Sequence, residues 1–271
     1  MLGKSHALSG AVGWVAGSSL LAMAGHAPPG SVVLLGAVVS TGFALLPDVD
    51  HPGSTVSRTL GPITGLLSAG VAGGAAALRR SSCAHCAGIA DRGGHRAVTH
   101  TAVFAVTLGL IVAVLGWVFG TAAISAVVGF GAWLAAHTAL SSKWRARIGD
   151  MVLPGKFRFH NRSAHRITAA VGALLVAVGF AGVAANDAGV GWWWLGLAVF
   201  WGCLAHDLGD SLTLSGCPLM WPLQVRGCRW TSVGTPRWMR FRTGSRVEAV
   251  VVGLLTAAGV GALYVLGSVP A

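Results

Sequence analysis

The sequence predicts an all-α fold, a polytopic bundle of transmembrane helices, and three observations lead to this class. Hydrophobic residues make up 54% of the 271-residue chain, and charged residues make up only 10%. A soluble domain carries roughly a quarter charged residues. Several apolar runs approach the roughly 20 residues that a helix needs to span a bilayer. Because no polar stretch is long enough for a soluble domain, we expect one integral membrane domain over residues 1–271.

Eight apolar segments divide the chain, and we expect about seven of them to cross the membrane. Those seven lie at 7–24, 31–47, 101–119, 121–140, 167–185, 190–209 and 247–268. The remaining segment, 60–78, contains Pro62 and repeated glycines, which weaken a membrane helix. We expect it to form a re-entrant or interfacial hairpin, which is tolerated at membrane depth when it packs against protein.

The basic residues predict the orientation of the helices. Lys and Arg give the chain a formal net charge of +11 and crowd the loops 141–166 and 226–246, so both loops should be cytoplasmic. The turns at 25–30 and 186–191 carry neither residue, and three tryptophans follow the second turn. This arrangement places the N-terminus in the cytoplasm and leaves 60–78 unable to cross. An alternative interpretation takes the start of the chain as a cleaved signal peptide.

The clearest sign of a functional site ends the segment 190–209, where the chain reads His206-Asp207-Leu208-Gly209-Asp210. Residues four apart share a helix face, so His206 and Asp210 can reach one ion together. An imidazole and a carboxylate are ligands that zinc or manganese accepts. Ionisable groups near lipid must find partners, which favours a function for this pair.

An acidic motif ends the segment 31–47, in the sequence Leu-Leu-Pro-Asp-Val-Asp-His-Pro at 45–52. Its prolines stop the helix. In an extended loop Asp48 and Asp50 lie on one side of the chain, close to His51. Two carboxylates and an imidazole within four residues favour a metal site, and a polar stop after a membrane span is the alternative.

A third motif, His-Arg-Ala-Val-Thr-His at 95–100, precedes the segment 101–119. A separation of five residues is poor spacing for one helix face, so we expect His95 in the loop and His100 in the first helical turn. Thr99 is then a candidate N-cap. Arg96 is suited to hold a phosphate oxygen. A basic cytoplasmic loop with incidental histidines is the alternative.

The predicted topology brings all three motifs to the cytoplasmic face, together with one early histidine. The candidate metal ligands are His6, Asp48, Asp50, His51, His95, His100, His206 and Asp210. The candidate catalytic residues are Asp48, Asp50, Arg96 and Asp210.

Together the motifs resemble the YdjM-like family of bacterial inner-membrane proteins, whose metal-dependent hydrolase activity is inferred. The resemblance covers residues 1–222 and rests on four elements in order: His6, the motif at 45–52, the motif at 95–100, and His206-x-x-x-Asp210-x-x-Thr213 with the sequence that continues to Trp221-Pro222. It implies a multi-pass hydrolase of the plasma membrane. The family is also distantly similar to zinc-dependent phospholipase C and single-strand-specific nucleases, which implies phosphoester cleavage at a zinc site.

We therefore expect an enzyme that uses a divalent metal, zinc before manganese, to activate water. Arg96 would contact the substrate, a phosphoester such as a lipid head group, and Thr213 would support the ligands. The same ligands would also serve a divalent-metal carrier or sensor. A non-catalytic membrane adaptor with a structural metal is a third interpretation. The scarcity of charge within the spans counts against a carrier.

Two features depart from the family pattern. Cys83-x-x-Cys86 precedes the third motif and would suit a small structural zinc site, but five cysteines, an odd number, favour reduced thiols in the cytoplasm. The order His95-x4-His100, Trp133 and His137 is echoed by His160-x4-His165, Trp201 and His206. An incomplete repeat is one interpretation, but chance is favoured in a chain of so biased a composition. His137, His160 and His165 are weaker ligand candidates than the motif residues.

The tail at 219–246 mixes tryptophan and phenylalanine with six arginines and leads to the final span. Such a mixture can bind single-stranded nucleic acid. Beside a membrane span it more often lies on anionic lipid head groups. We therefore expect membrane lipid as a partner rather than nucleic acid.

Overall fold

The structure is a computed structural model that describes residues 1–54, 56–58, 62–83, 95–139, 162–187 and 191–269. Within these ranges the regular structure consists of eight α-helices and short 3-10 turns, with isolated bridges but no β-strand. The predicted all-α fold class is confirmed.

The eight helices follow the predicted apolar segments closely. They are α1 (Gly3–Met23), α2 (Gly30–Phe43), α3 (Pro62–Ser82), α4 (Ala102–Phe119), α5 (Thr121–Ala139), α6 (Arg162–Asn186), α7 (Trp193–Ser211) and α8 (Arg246–Ser268). Four segments of the described chain are long and apolar enough to cross a membrane, judged by length and composition: Gly30–Asp50, Ala102–Phe119, Thr121–Ala139 and Arg246–Ser268. The other three crossings, by α1, α6 and α7, stay a prediction.

Helices α2 and α7 each pack against three other helices. α2 contacts α1, α5 and α7, and α7 also contacts α1 and α4, whereas α6 packs on α5 and α8 packs on α1. Buried apolar side chains, among them Leu35, Val39 and Trp194, fill the space between the helices. Glycines let α4 and α7 approach closely, since a Cβ atom on Gly109 would lie 2.8 Å from the carbonyl oxygen of Gly196. Small residues at such contacts are typical of membrane helices.

One end of the bundle gathers the starts of α1, α4 and α8 and the end of α2. The Leu2 N–H, just before α1, donates a 2.7 Å hydrogen bond to the buried Glu248 carboxylate in the first turn of α8. Asp50, which follows α2, contacts His95, which precedes α4, at 2.9 Å. The chain between Asp50 and His95 therefore leaves and returns at the same end of the bundle, which we call the site end.

Helix α3 lies along the site end. The Ser57 hydroxyl donates to the Ser68 hydroxyl at 3.2 Å, and the Trp230 indole donates to Ser82 at 2.8 Å. Both halves of α3 thus contact segments of the site end, which supports the prediction of a segment that does not cross. The segment is one continuous helix rather than a hairpin, because Pro62 stands in the first turn, where its missing N–H leaves no hydrogen bond unmade.

The start of α4 differs from the prediction. Thr101 caps the helix, since its hydroxyl oxygen accepts a 3.1 Å hydrogen bond from the Phe104 N–H. Thr99 and His100 lie before the helix in a 3-10 turn, Val98–His100. The predictions that Thr99 caps α4 and that His100 lies in its first turn are wrong, because the Thr99 hydroxyl is turned toward a buried carboxylate instead.

Residues 212–245 form an irregular segment that folds against the site end. Isolated bridges join Thr213 to Phe241 and Cys217 to Val233. Thr213 lies two residues after the end of α7, so the bridge holds Phe241, from the predicted basic aromatic tail, against the end of that helix. The segment therefore forms one wall of the candidate site.

Candidate metal centre

Short stretches of chain at the site end deliver seven of the eight candidate ligands, all except His51. The side chains that meet there are His6 from the first turn of α1, Asp48 and Asp50 from a 3-10 turn, Leu46–Asp50, His95 and His100 from the segment before α4, and His206 and Asp210 from the end of α7. Their side chains are buried, except that Asp48 is 24% exposed and His95 is 36% exposed. The cluster therefore opens to its surroundings through these two residues.

Two imidazoles occupy the centre of the cluster. The Nε2 atoms of His100 and His206 lie 3.2 Å apart. Asp48 Oδ1 lies 3.7 Å from each of them, and Asp210 Oδ2 lies 3.7 Å from His100 and 3.8 Å from His206. Ligand atoms about 2.0–2.1 Å from a tetrahedral zinc ion stand about 3.4 Å apart. Each carboxylate therefore completes a triangle with the two imidazoles that has nearly the size a zinc ion requires.

The second ring nitrogen of each imidazole is held by another group. His206 Nδ1 lies 2.8 Å from the Ala44 carbonyl oxygen, which can only accept, so Nδ1 carries the proton. In neutral His206 the Nε2 atom then presents its lone pair to the centre of the cluster. His100 Nδ1 lies 3.0 Å from the Thr99 hydroxyl and 3.6 Å from Asp50. Such partners fix the orientation of metal-binding histidines.

Asp50 is fully buried and accepts several hydrogen bonds. Its Oδ2 atom accepts from the Arg96 backbone N–H at 3.0 Å and from the Thr99 hydroxyl at 2.8 Å, and its Oδ1 atom lies 2.9 Å from His95 Nδ1. Asp50 therefore ties the segment before α4 to the end of α2. Most of its acceptor capacity is used in this way, which favours an orienting role over direct contact with a metal.

Three nitrogen-bearing groups, the Met1 amino group, His6 and Arg96, surround Asp210. Its Oδ1 atom accepts a 2.6 Å hydrogen bond from the amino group of Met1 and lies 3.3 Å from His6 Nε2. Its Oδ2 atom forms a 2.9 Å ion pair with Arg96. Arg96 also donates to the hydroxyl of Thr213, the residue predicted to support the ligands, at 3.2 Å. Arg96 thus holds Asp210 in place. Its contact with substrate stays a prediction.

The ligand atoms fall into three groups among the described residues. Within each group the donor atoms lie within 4.8 Å of one another: His6 with His206 and Asp210, Asp48 with His100 and His206, and Asp50 with His95 and His100. His51 belongs to none of them. It is exposed, and its Nδ1 atom accepts a 3.3 Å hydrogen bond from the Gly53 N–H, although its ring lies 4.6 Å from that of His95.

The donor set suits a divalent cation. Asp210 Oδ2 is buried with no hydrogen bond beyond its ion pair, and His206 Nε2 points at the same space. Burial alone would lower the pKa of His100, but the nearby Asp48 and Asp50 carboxylates raise it to about 10. In the absence of metal the cluster therefore keeps a proton on His100. A divalent cation bound there would displace that proton.

The weaker candidates lie apart from this cluster or outside the described residues. His137 is on α5, with its ring 5.3 Å from that of Trp133, and belongs to none of the three groups. His160 and Cys86 lie outside the described residues, and the side chain of His165 does as well. The incomplete repeat and the small structural zinc site therefore stay predictions.

Asp207 is a residue of the site end that the sequence analysis did not single out. Its side chain is fully buried, and neither carboxylate oxygen has a hydrogen-bond partner in the described part of the chain. Its own backbone carbonyl accepts a 3.2 Å contact from the Cys217 thiol. Its position next to His206 was visible in the sequence, but helical spacing gave no reason to bury it without a partner.

A comparison with protein families identifies the chain. The family described as YdjM inner membrane protein matches residues 1–152 and 147–268. The chain belongs to the YdjM family. No curated protein and no solved structure matches it. The resemblance predicted from the four motifs is confirmed, and the match extends beyond the residues 1–222 on which it rested.

Membership of the YdjM family, together with the apolar helices, makes this chain an inner membrane protein. Its His and Asp side chains form groups that could hold a metal ion. The cytoplasmic position of the N-terminus, the identity of the metal and the individual roles of the ligand and catalytic residues stay predictions.

Proposed function

We propose that this YdjM-family protein is a membrane-bound, metal-dependent hydrolase that cleaves a phosphoester. One observation carries the proposal: the Nε2 atoms of His100 and His206 and the oxygens of Asp48 and Asp210 converge with the spacing of zinc ligands. The mixed nitrogen and oxygen donors fit zinc best and manganese second.

The residues of the cluster suit different tasks in such a reaction. A divalent metal there would supply an activated water and neutralise charge on a phosphoryl group. Asp48 is the most exposed carboxylate of the cluster, so it is placed to meet an entering water and accept its proton. Asp50 and Ala44 orient His100 and His206. A phosphoester is the reacting bond that the resemblance of the four motifs to zinc-dependent phospholipase C implies.

A divalent-metal carrier or sensor is the second candidate function. A carrier requires a polar path between the two ends of the bundle. The described core between the helices is instead lined by apolar side chains such as Trp14, Leu35 and Val128. The ligands gather at one end of the bundle, as a hydrolase or a structural metal site requires. This arrangement favours the enzyme over the carrier.

Metal analysis of the purified protein tests the first step of the proposal. Wild-type protein should retain at least one zinc or manganese ion per chain, and His206→Ala and Asp210→Ala should retain much less. His137→Ala is the matched control, because His137 is a buried histidine outside the three ligand groups. Full metal retention in both cluster variants would remove these residues from the metal site.

Turnover tests the second step. A panel of phosphoesters should include lipid substrates in mixed micelles and single-stranded nucleic acid. Activity on one of them should require metal, and Asp48→Asn should lower it by on the order of a hundredfold, as for losses of charge-stabilising groups in other enzymes. If no substrate turns over while the protein moves metal across liposomes, the carrier replaces the enzyme.

A further inference from the structure

We infer that a pocket beside the cluster, formed by Arg79, Arg96 and the segment after α7, binds the phosphate head group of a membrane phospholipid. The inference rests on the proposed function, since it names the substrate class of that site. The substrate would then enter the pocket from the bilayer along α3 rather than from solution.

The pocket directly adjoins the candidate metal centre. It is a cavity of about 480 Å³, and His95 and Arg96 form the wall that it shares with the cluster. Arg79 from α3, Ser215, Trp230 and Ser232 form other parts of its wall. A volume of this size falls in the range of roughly 300–1,000 Å³ that small-molecule sites occupy. The cavity is therefore large enough for a head group.

The charges that line the pocket select an anion. Two guanidinium groups and no carboxylate belong to the described lining. Arg96 is already paired with Asp210, whereas no described carboxylate pairs with Arg79. Among the described residues, Arg79 thus contributes a positive charge that no carboxylate neutralises. Guanidinium groups bind phosphate oxygens through two parallel hydrogen bonds, and serine hydroxyls can add further ones.

The surface of α3 indicates that the substrate comes from the bilayer. Ile63, Leu66, Leu67 and Leu78 follow helical spacing along one face and are 70%, 75%, 57% and 40% exposed. The opposite face, which includes the fully buried Ser68, packs against the protein. This pattern inverts that of a helix on a soluble protein, which turns its apolar face inward.

Lipid is therefore the medium that would cover the apolar face of α3. α3 packs against the 3-10 turn Leu46–Asp50, which ends the apolar segment Gly30–Asp50. Its outer face would therefore lie at the level where that segment leaves the membrane. Amphipathic helices in this position sink about 5–10 Å into the boundary between head groups and acyl chains. Arg79, near the end of α3, then lies at the depth of the phosphates.

The test measures lipid binding separately from turnover. Purified protein in detergent is offered dioleoyl phosphatidylglycerol or dioleoyl phosphatidylcholine, and native mass spectrometry counts the retained lipid. Wild-type protein should retain phosphatidylglycerol preferentially, and Arg79→Gln should weaken that retention about tenfold, the loss expected for one charge-assisted hydrogen bond. Arg80→Gln is the matched control, because Arg80 is the exposed neighbour that does not line the pocket.

Inorganic phosphate and dihexanoyl phosphatidylglycerol separate the two sources of the anion. Long-chain phosphatidylglycerol should occupy the pocket at a lower concentration than inorganic phosphate or the short-chain lipid, because its chains add contact with α3. If inorganic phosphate binds as tightly as the long-chain lipid, the entry from the bilayer is refuted. If Arg79→Gln and Arg80→Gln retain lipid equally, the pocket is refuted. Lipid binding without turnover of any phosphoester would contradict the proposed function and leave the binding site intact.

Discussion

Replacement of Asp50 separates an orienting carboxylate from a metal ligand. The sequence predicts that Asp50 is a ligand, whereas the structure surrounds it with the Arg96 backbone N–H, the Thr99 hydroxyl and His95. In Asp50→Asn, the amide oxygen can take the place of Oδ2 and accept from Arg96 and Thr99. The amide NH₂ group can donate to His95 Nδ1. All three contacts then survive, and only the negative charge is lost.

The two substitutions at Asp50 should therefore have different effects. Asp50→Ala leaves the Arg96 N–H buried and unpaired, while the Thr99 hydroxyl can turn to His100 Nδ1 at 3.0 Å. An orphaned buried donor costs about 1–3 kcal/mol, so the free energy of unfolding should fall by about that amount. Asp50→Asn should unfold nearly as the wild type does. It should weaken metal binding by roughly 10–100-fold, as the loss of an outer carboxylate does elsewhere.

Thermal unfolding and metal competition titration measure the two quantities on the same preparations. Asp187→Asn, which removes a carboxylate that is outside the three ligand groups, is the control for loss of charge. If Asp50→Asn abolishes metal retention as completely as His206→Ala, Asp50 is a direct ligand and the orienting role is refuted. If Asp50→Ala is as stable as the wild type, the three contacts do not hold the site together.

Three further predictions concern protons, packing and topology. The raised pKa of His100 keeps its imidazole protonated without metal, so metal binding must displace a proton. Metal affinity should therefore rise about tenfold per pH unit from about pH 6 to 8. A competition titration that shows no pH dependence would contradict this displacement. The Cys83 and Cys228 Sγ atoms lie 3.6 Å apart, so a mild oxidant should join them in a disulfide that intact mass detects and that Cys83→Ser cannot form; a failure to cross-link would place the end of α3 elsewhere. Cysteines introduced at positions 55 and 90, both outside the described residues, should be labelled from the same, cytoplasmic side, and labelling from opposite sides would refute the predicted topology.

The sequence predicts the class of fold and most of the cluster because both depend on simple regularities. Apolar runs of membrane length become helices, since a lipid environment leaves the backbone few other ways to form its hydrogen bonds. The basic loops predict which helix ends lie on the same side of the membrane. This assignment brings His6, Asp48, His100 and His206 to one end of the bundle. Helical spacing alone places His206 and Asp210 on one face.

Other features depend on contacts between distant segments, which spacing does not encode. Nothing in the sequence indicates that the Ala44 carbonyl holds His206 or that Thr101 rather than Thr99 caps α4. Arg79 resembles any basic residue at the end of a helix until α3 is seen to lie beside the pocket. The prediction of a hairpin at 60–78 overestimated how strongly the glycines of this segment would interrupt a helix.

The hydrogen bond between Leu2 and Glu248 has a consequence for how the protein is made. It joins residues 246 positions apart in the chain, and the contact of His6 with Asp210 spans almost as many. Because helices leave the ribosome in sequence order, His6 cannot contact Asp210 until α7 has been synthesised. A nascent chain that stalls before α7 lacks both His206 and Asp210. Retained metal would therefore report that synthesis has proceeded through α7.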